Sequence, residues 1–114
     1  MSLASILPGT LDMLVLKAVS LGREHGYGVL NRIQRASSDV LVVEQGALYP
    51  ALARLEAQGL IEAEWGISEN NRRAKFYQLS RDGRARLKAD IQDWRRFSAA
   101  LDQVLATPSL GAMA

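Results

Sequence analysis

Two clusters hold the side chains best suited to chemistry. Gln45, Gly46, Ala47, Tyr49 and Pro50 stand together, and Asn70, Asn71, Arg72, Arg73, Lys75 and Tyr77 follow further along the chain. Neither set suits bond-breaking, but both suit recognition of a polyanion. A glutamine can pair with base edges, and a tyrosine can contact a phosphate or a thymine methyl. Gly46 and Ala47 have almost no side chain, so the backbone can come close to a partner. Asparagine, arginine and lysine on a tight hairpin can follow a phosphate backbone or place an arginine in a narrow minor groove. Tyr77 alternates with Phe76 and is expected to face the groove, with Phe76 and Leu79 in the core. Tyr49 has a competing role as a core aromatic with its hydroxyl satisfied. The polar hairpin has one as an ordinary solvated loop.

Catalysis is hard to assemble from what remains. The chain has no cysteine and one histidine, His25, set beside Gly26. A triad needs a histidine base near a nucleophile, and a transition-metal site needs more ligands of this kind. Gly26 and Gly28 alone do not make a phosphate cradle. Glu62 and Glu64 share one strand face and read as solvated. No catalytic residue, metal ligand or cofactor is expected, and His25 reads as structural.

These clusters need elements to hold them. Thr10 reads as the N-cap of a first helix, with Leu11, Leu14, Val15 and Ala18 at helical spacing, ending near Gly22. His25–Gly28 reads as a turn, followed by a second helix with Val29, Leu30 and Ile33 apolar. Leu41–Val43 suggests a brief strand. A third helix should start near Gln45 or Gly46, present Leu48, Leu52 and Leu55 on one face, and stop at Gly59. Pro50 lacks an N–H and crowds the carbonyl of Gly46, so it should lie in the first turn. Ile61, Ala63 and Trp65 alternate with Glu62 and Glu64, a strand with one buried face. Residues 68–73 form the turn, and 75–79 the returning strand.

Ser80 is placed to cap a final helix over 81–106. There Leu87, Ile91, Trp94, Leu101 and Leu105 fall on a heptad seam, interrupted by Ser98. Such a helix, following a domain already complete, exposes too much apolar surface to stand alone. A second copy packing on it is the simplest remedy; folding back on its own domain is the alternative. The expected architecture is mainly α (α+β): a winged helix-turn-helix over residues 1–80, a dimerisation helix over 81–106 and a flexible tail over 107–114.

Composition agrees with a folded, polarised molecule. The 114 residues are 48% hydrophobic, which excludes a disordered chain, and suffice for one domain with a helical appendage. No apolar run approaches the roughly 18 residues of a membrane span. The N-terminus lacks the pattern of a signal peptide, and with no cysteine the cytoplasm is the expected compartment. Residues 72–96 hold nine basic and three acidic side chains, a net of +6 in a chain of net +2, leaving −4 elsewhere. That asymmetry admits a polyanion as partner.

Three segments, HGYGV (25–29), GALYPALARLEAQGLI (46–61) and NNRRAKFYQLSRDGRARL (70–87), resemble the PadR family of bacterial transcriptional regulators. The resemblance covers roughly residues 5–105 and is nearest the short subgroup with one C-terminal dimerisation helix. It implies a homodimeric repressor of an adjacent gene, bound to double-stranded DNA at a near-palindromic operator. By position it assigns DNA contact to Tyr27, to Gln45–Pro50, and to Arg73, Lys75 and Tyr77. Some relatives bind a flat aromatic effector against a tryptophan of the last helix. Trp94 holds that place here, with plain interface packing as its other role. Two rival classes remain: a winged-helix module that binds protein, and a small-molecule sensor that does not read DNA.

Overall fold

The computed structural model describes residues 9–113. The expectation about a signal sequence rests on residues 1–14, of which 1–8 lie outside that range. The elements run α1 (Thr10–Ser20), β1 (Glu24–His25), α2 (Gly26–Ala36), α3 (Gln45–Ala57), β2 (Ile61–Ile67), β3 (Arg73–Leu79), α4 (Arg81–Ala106) and α5 (Leu110–Met113). The sheet is antiparallel with order β1-β3-β2, so the short first strand extends the hairpin at the β3 edge. This is the α+β arrangement of a winged helix.

The core forms where the apolar stripes of α1, α2 and α3 meet the hairpin. Val15, Leu16 and Val19 pack with Val29 and Ile33, with Leu48, Leu52 and Leu55, and with Ile61 and Leu79. Burying one such aliphatic side chain contributes roughly 1.5–3 kcal/mol, so this cluster outweighs any single surface pair.

Several local expectations change. Gly9, in the left-handed region, is the N-cap of α1, and Thr10 is its first helical residue. His25–Gly28 is not a turn. Glu24 and His25 pair with Tyr77 and Phe76, and α2 begins at once, capped by His25 Nδ1, which accepts from the Gly28 amide at 3.2 Å. Residues 41–43 make only an isolated bridge at Val42. Pro50 is the sixth residue of α3, in its second turn. Proline has no N–H to offer the Gly46 carbonyl there, so α3 continues past Pro50 without that bond. Within the stretch expected as a tail, residues 110–113 form a short helical turn.

The stop of α3 follows the sequence. Gly59 has φ +72°, its amide bonds the Glu56 carbonyl at 3.0 Å, and the Leu60 amide bonds that of Leu55 at 2.9 Å. This paired closure turns the chain straight into β2.

The same corner receives α4. Ser80 Oγ accepts from the Gly83 amide at 3.0 Å and donates to the Gly59 carbonyl at 2.6 Å, while the Ser80 amide bonds Leu60 O at 3.1 Å. One buried hydroxyl thus caps α4 and ties it to the end of α3. Ser80→Ala is expected to cost about 1–2 kcal/mol, read as a lower denaturant midpoint with unchanged m-value. A midpoint equal to the parent's would remove Ser80 from the junction.

Candidate nucleic-acid interface

Three elements bring the recognition side chains to one side. The hairpin turn closes with the Ser68 amide on the Arg72 carbonyl at 2.8 Å and the Asn71 amide on Ser68 O at 2.9 Å. Asn71 takes φ +58°, a conformation that asparagine tolerates well. The turn lies beside the start of α2: Glu69 and Asn70 share a polar cleft with His25, Tyr27, Asn31 and Arg35. Tyr27 is exposed there. Asn31 and Arg35, absent from the sequence assignment, follow Tyr27 at successive four-residue steps. That polar stripe on α2 was the signal available for them.

The start of α3 is bare. Glu44, its N-cap, makes no side-chain hydrogen bond to the helix, and Gln45 and Gly46 are exposed. Ala47 is half-buried; Pro50 is exposed. A Cβ at Gly46 would meet nothing within 4 Å. The open amides and the helix dipole favour an anion here.

Tyr49 is exposed and seated on glycine: a Cβ at Gly26 would lie 2.9 Å from its ring. The smallness of Gly26 is what lets α2 and the Tyr49 ring sit this close. Leu48 and Leu52 already fill the core face, so Tyr49 is left on the rim.

The wing divides its side chains differently from the sequence reading. Register pairs Ile61 with Leu79, Ala63 with Tyr77, Trp65 with Lys75 and Ile67 with Arg73, all on one face. The inner end of that face is covered and the outer end is open. Tyr77, expected to face the groove, is 6% exposed and belongs to the core. Burial pushes its phenol above the usual value, partly offset by the Lys75 charge. Trp65, expected on the buried face, is 58% exposed. Trp65 is outside the core cluster that the helices build over the inner end of that face.

The wing cations also differ from one another. Lys75 Nζ bonds Glu56 Oε1 of α3 at 2.9 Å, and that hydrogen bond raises its pKa above the ordinary value. The ammonium stays charged but is already engaged. Arg72 is exposed and its side chain has no partner among the described residues, and Arg73 lies over the Trp65 ring. The remaining basic residues of the 72–96 stretch lie on α4, which begins at the end of β3 opposite the turn. The charge block is contiguous in sequence but split between two ends of the fold.

The seam of α4 is divided too. Leu87 is 7% exposed and buried in its own domain, and Ile91 packs against that core. Leu87, expected on the dimer seam, is thus taken up by the core of its own domain. Beyond it Trp94 is half-buried with its ring centroid 5.9 Å from that of Phe97, and Phe97, Leu101, Val104 and Leu105 are exposed. Phe97 and Val104 lie beside the heptad line, which is narrower than the exposed apolar stripe of this helix. Among the described residues no cluster of metal-binding side chains occurs, and no helix is long and apolar enough to cross a membrane.

Comparison with known proteins agrees with this geometry. Residues 15–89 match the model of the transcriptional regulator PadR-like family. A transcriptional regulator from Clostridium thermocellum superposes with TM-score 0.76 at 25% identity, over 83% of this chain and 92% of that one. A PadR family transcription regulator from Clostridium difficile gives 0.73 at 26%, over 86% and 100%. One from Eggerthella lenta gives 0.74 at 28%, over 88% and 85%. With most of its length inside the matched region, the chain belongs to the PadR-like family of transcriptional regulators.

Proposed function

We propose that this regulator is a homodimeric, sequence-specific DNA-binding repressor of an adjacent gene. The observation that carries the reading is the convergence of three elements. The wing turn and the start of α2 share one cleft, and the uncapped start of α3 follows in the same helix-turn-helix. The start of α3 enters the major groove, where Gln45 reads base edges and Gly46 and Ala47 allow close approach. Tyr27 and Tyr49 flank it, and Arg72 and Arg73 take phosphates. Two copies, joined by the outer half of α4, place these helices in successive major grooves about 34 Å apart. Bound there, the dimer excludes polymerase.

Salt titration of binding to the chain's upstream promoter duplex and to a scrambled duplex tests this. Specific binding should exceed non-specific by about 10³–10⁷-fold. Arg72→Ala should weaken both and flatten the log–log salt slope by about 0.9. Lys75→Ala should change the slope less, because Glu56 already neutralises that ammonium. Equal binding to both duplexes would reject sequence-specific reading and favour a protein-binding winged helix.

A second reading concerns an effector. Trp94 and Phe97 line an open cleft with Met13, beside Asp90, Asp93 and Arg86. A planar aromatic compound stacking on Trp94 there would sit against the α4 face that joins the two copies. It would control DNA binding by favouring one spacing of the recognition helices over another.

A further inference from the structure

We propose that Trp65 is a positioning residue: its indole holds the Arg73 guanidinium in place for a phosphate of the DNA backbone. The inference rests on the DNA-binding reading above and adds a residue to it. Trp65 pairs with Lys75 and Arg73 with Ile67, so Trp65 and Arg73 are diagonal neighbours on one hairpin face. The guanidinium carbon lies 4.4 Å from the indole centroid, within the range of a cation–π contact.

Trp65 is 58% exposed and Ile67 64% exposed, yet neither belongs to the core. A large aromatic on the open end of a hairpin is otherwise a liability. Its use follows from what it carries. The described ion pairs engage Arg23, Arg32, Arg54, Arg86 and Lys75 with carboxylates, and none includes Arg73.

Stacking uses the flat face of a guanidinium and leaves the N–H groups at its edge free. A carboxylate partner would occupy those same donors. With its guanidinium carbon over the indole and no carboxylate partner among the described ion pairs, Arg73 is oriented and has less rotamer freedom to lose on binding. The complementary partner is an anion that takes two parallel N–H donors, as a phosphate does. The same face meets α3 through Lys75 and Glu56, in the last turn of that helix.

The test uses the full chain with the upstream promoter duplex and a scrambled duplex across a salt series. Trp65→Ala, Trp65→Phe, Arg73→Ala and the Trp65/Arg73 double alanine variant are compared, with thermal melting as the folding control. Arg73→Ala should weaken both complexes and lower the salt slope by about 0.9. Trp65→Ala should reproduce most of that loss, Trp65→Phe should restore it, and the double variant should bind no worse than Arg73→Ala.

If Trp65→Ala keeps the parent's affinity and slope while Arg73→Ala loses both, the positioning role is wrong and the DNA reading stands. Additive losses in the double variant would also overturn it, since Trp65 would then act independently of Arg73. If the parent itself binds neither duplex, the DNA reading fails, and the exposed platform belongs to a protein contact instead.

Discussion

Leu101→Asp is expected to convert the regulator to a monomer and to lower operator affinity by about 10²–10⁴-fold, the advantage of two linked half-sites over one. The outer half of α4 leaves Phe97, Leu101, Val104 and Leu105 exposed in a single chain, with Leu101 at 42%. These residues recur at helical spacing on a helix of 26 residues whose first turns alone are anchored to the domain. A two-fold partner would bury them, and an aspartate in that seam, repeated in the second copy, would be two unpaired buried charges. In the monomer the same aspartate is solvated, so melting of the winged-helix domain should change little. Sedimentation velocity with a parallel binding titration checks both arms. A dimer persisting at micromolar concentration would mean that the outer half of α4 is not the interface.

Gly83→Ala should be the most damaging single-methyl change in the domain. A Cβ at Gly83 would lie 2.0 Å from the Leu60 carbonyl oxygen and 2.9 Å from Leu79 Cδ1. The first of these is backbone and cannot rotate away. That carbonyl also accepts the Ser80 amide, so moving α4 outward breaks the corner built by Ser80. Helix propensity works in the opposite direction, since alanine gains up to about 1 kcal/mol over glycine in a helix. The clash and the lost hydrogen bonds should outweigh it, for a net loss of roughly 3 kcal/mol. In a domain of this size that corresponds to a fall in Tm of roughly 10–20 °C.

Gly46→Ala is the matched comparison, because open space surrounds that Cβ. There the propensity gain should stand alone and Tm should rise slightly. Calorimetry on the two variants decides the matter: a Tm for Gly83→Ala at or above the parent's would refute the close approach of α4 to Leu60.

Much of the architecture was legible because its signals are local. Gly59 as the stop of α3, Ser80 as the cap of α4 and the donor-rich hairpin turn each depend on residues a few positions apart. So do the extents of α3 and α4 and the winged-helix class. Capping and turn chemistry act within one turn of chain, and a linear reading captures them.

Which faces are covered was decided by tertiary structure. Periodicity correctly placed Ile61, Ala63 and Trp65 on one face but could not say how far along that face the core extends. The core leaves Trp65 exposed and takes in Tyr77 on the same face. The register of α4 grouped Leu87 with Leu101, yet the domain buries the first and leaves the second open. Lys75 reads as a free cation until α3 brings Glu56 beside it, and Glu24 and His25 become a strand only because β3 offers an edge. In each case the deciding neighbour lies far along the chain. Repeating side-chain patterns record what an element could bury, while the length and placement of distant elements determine what it does bury.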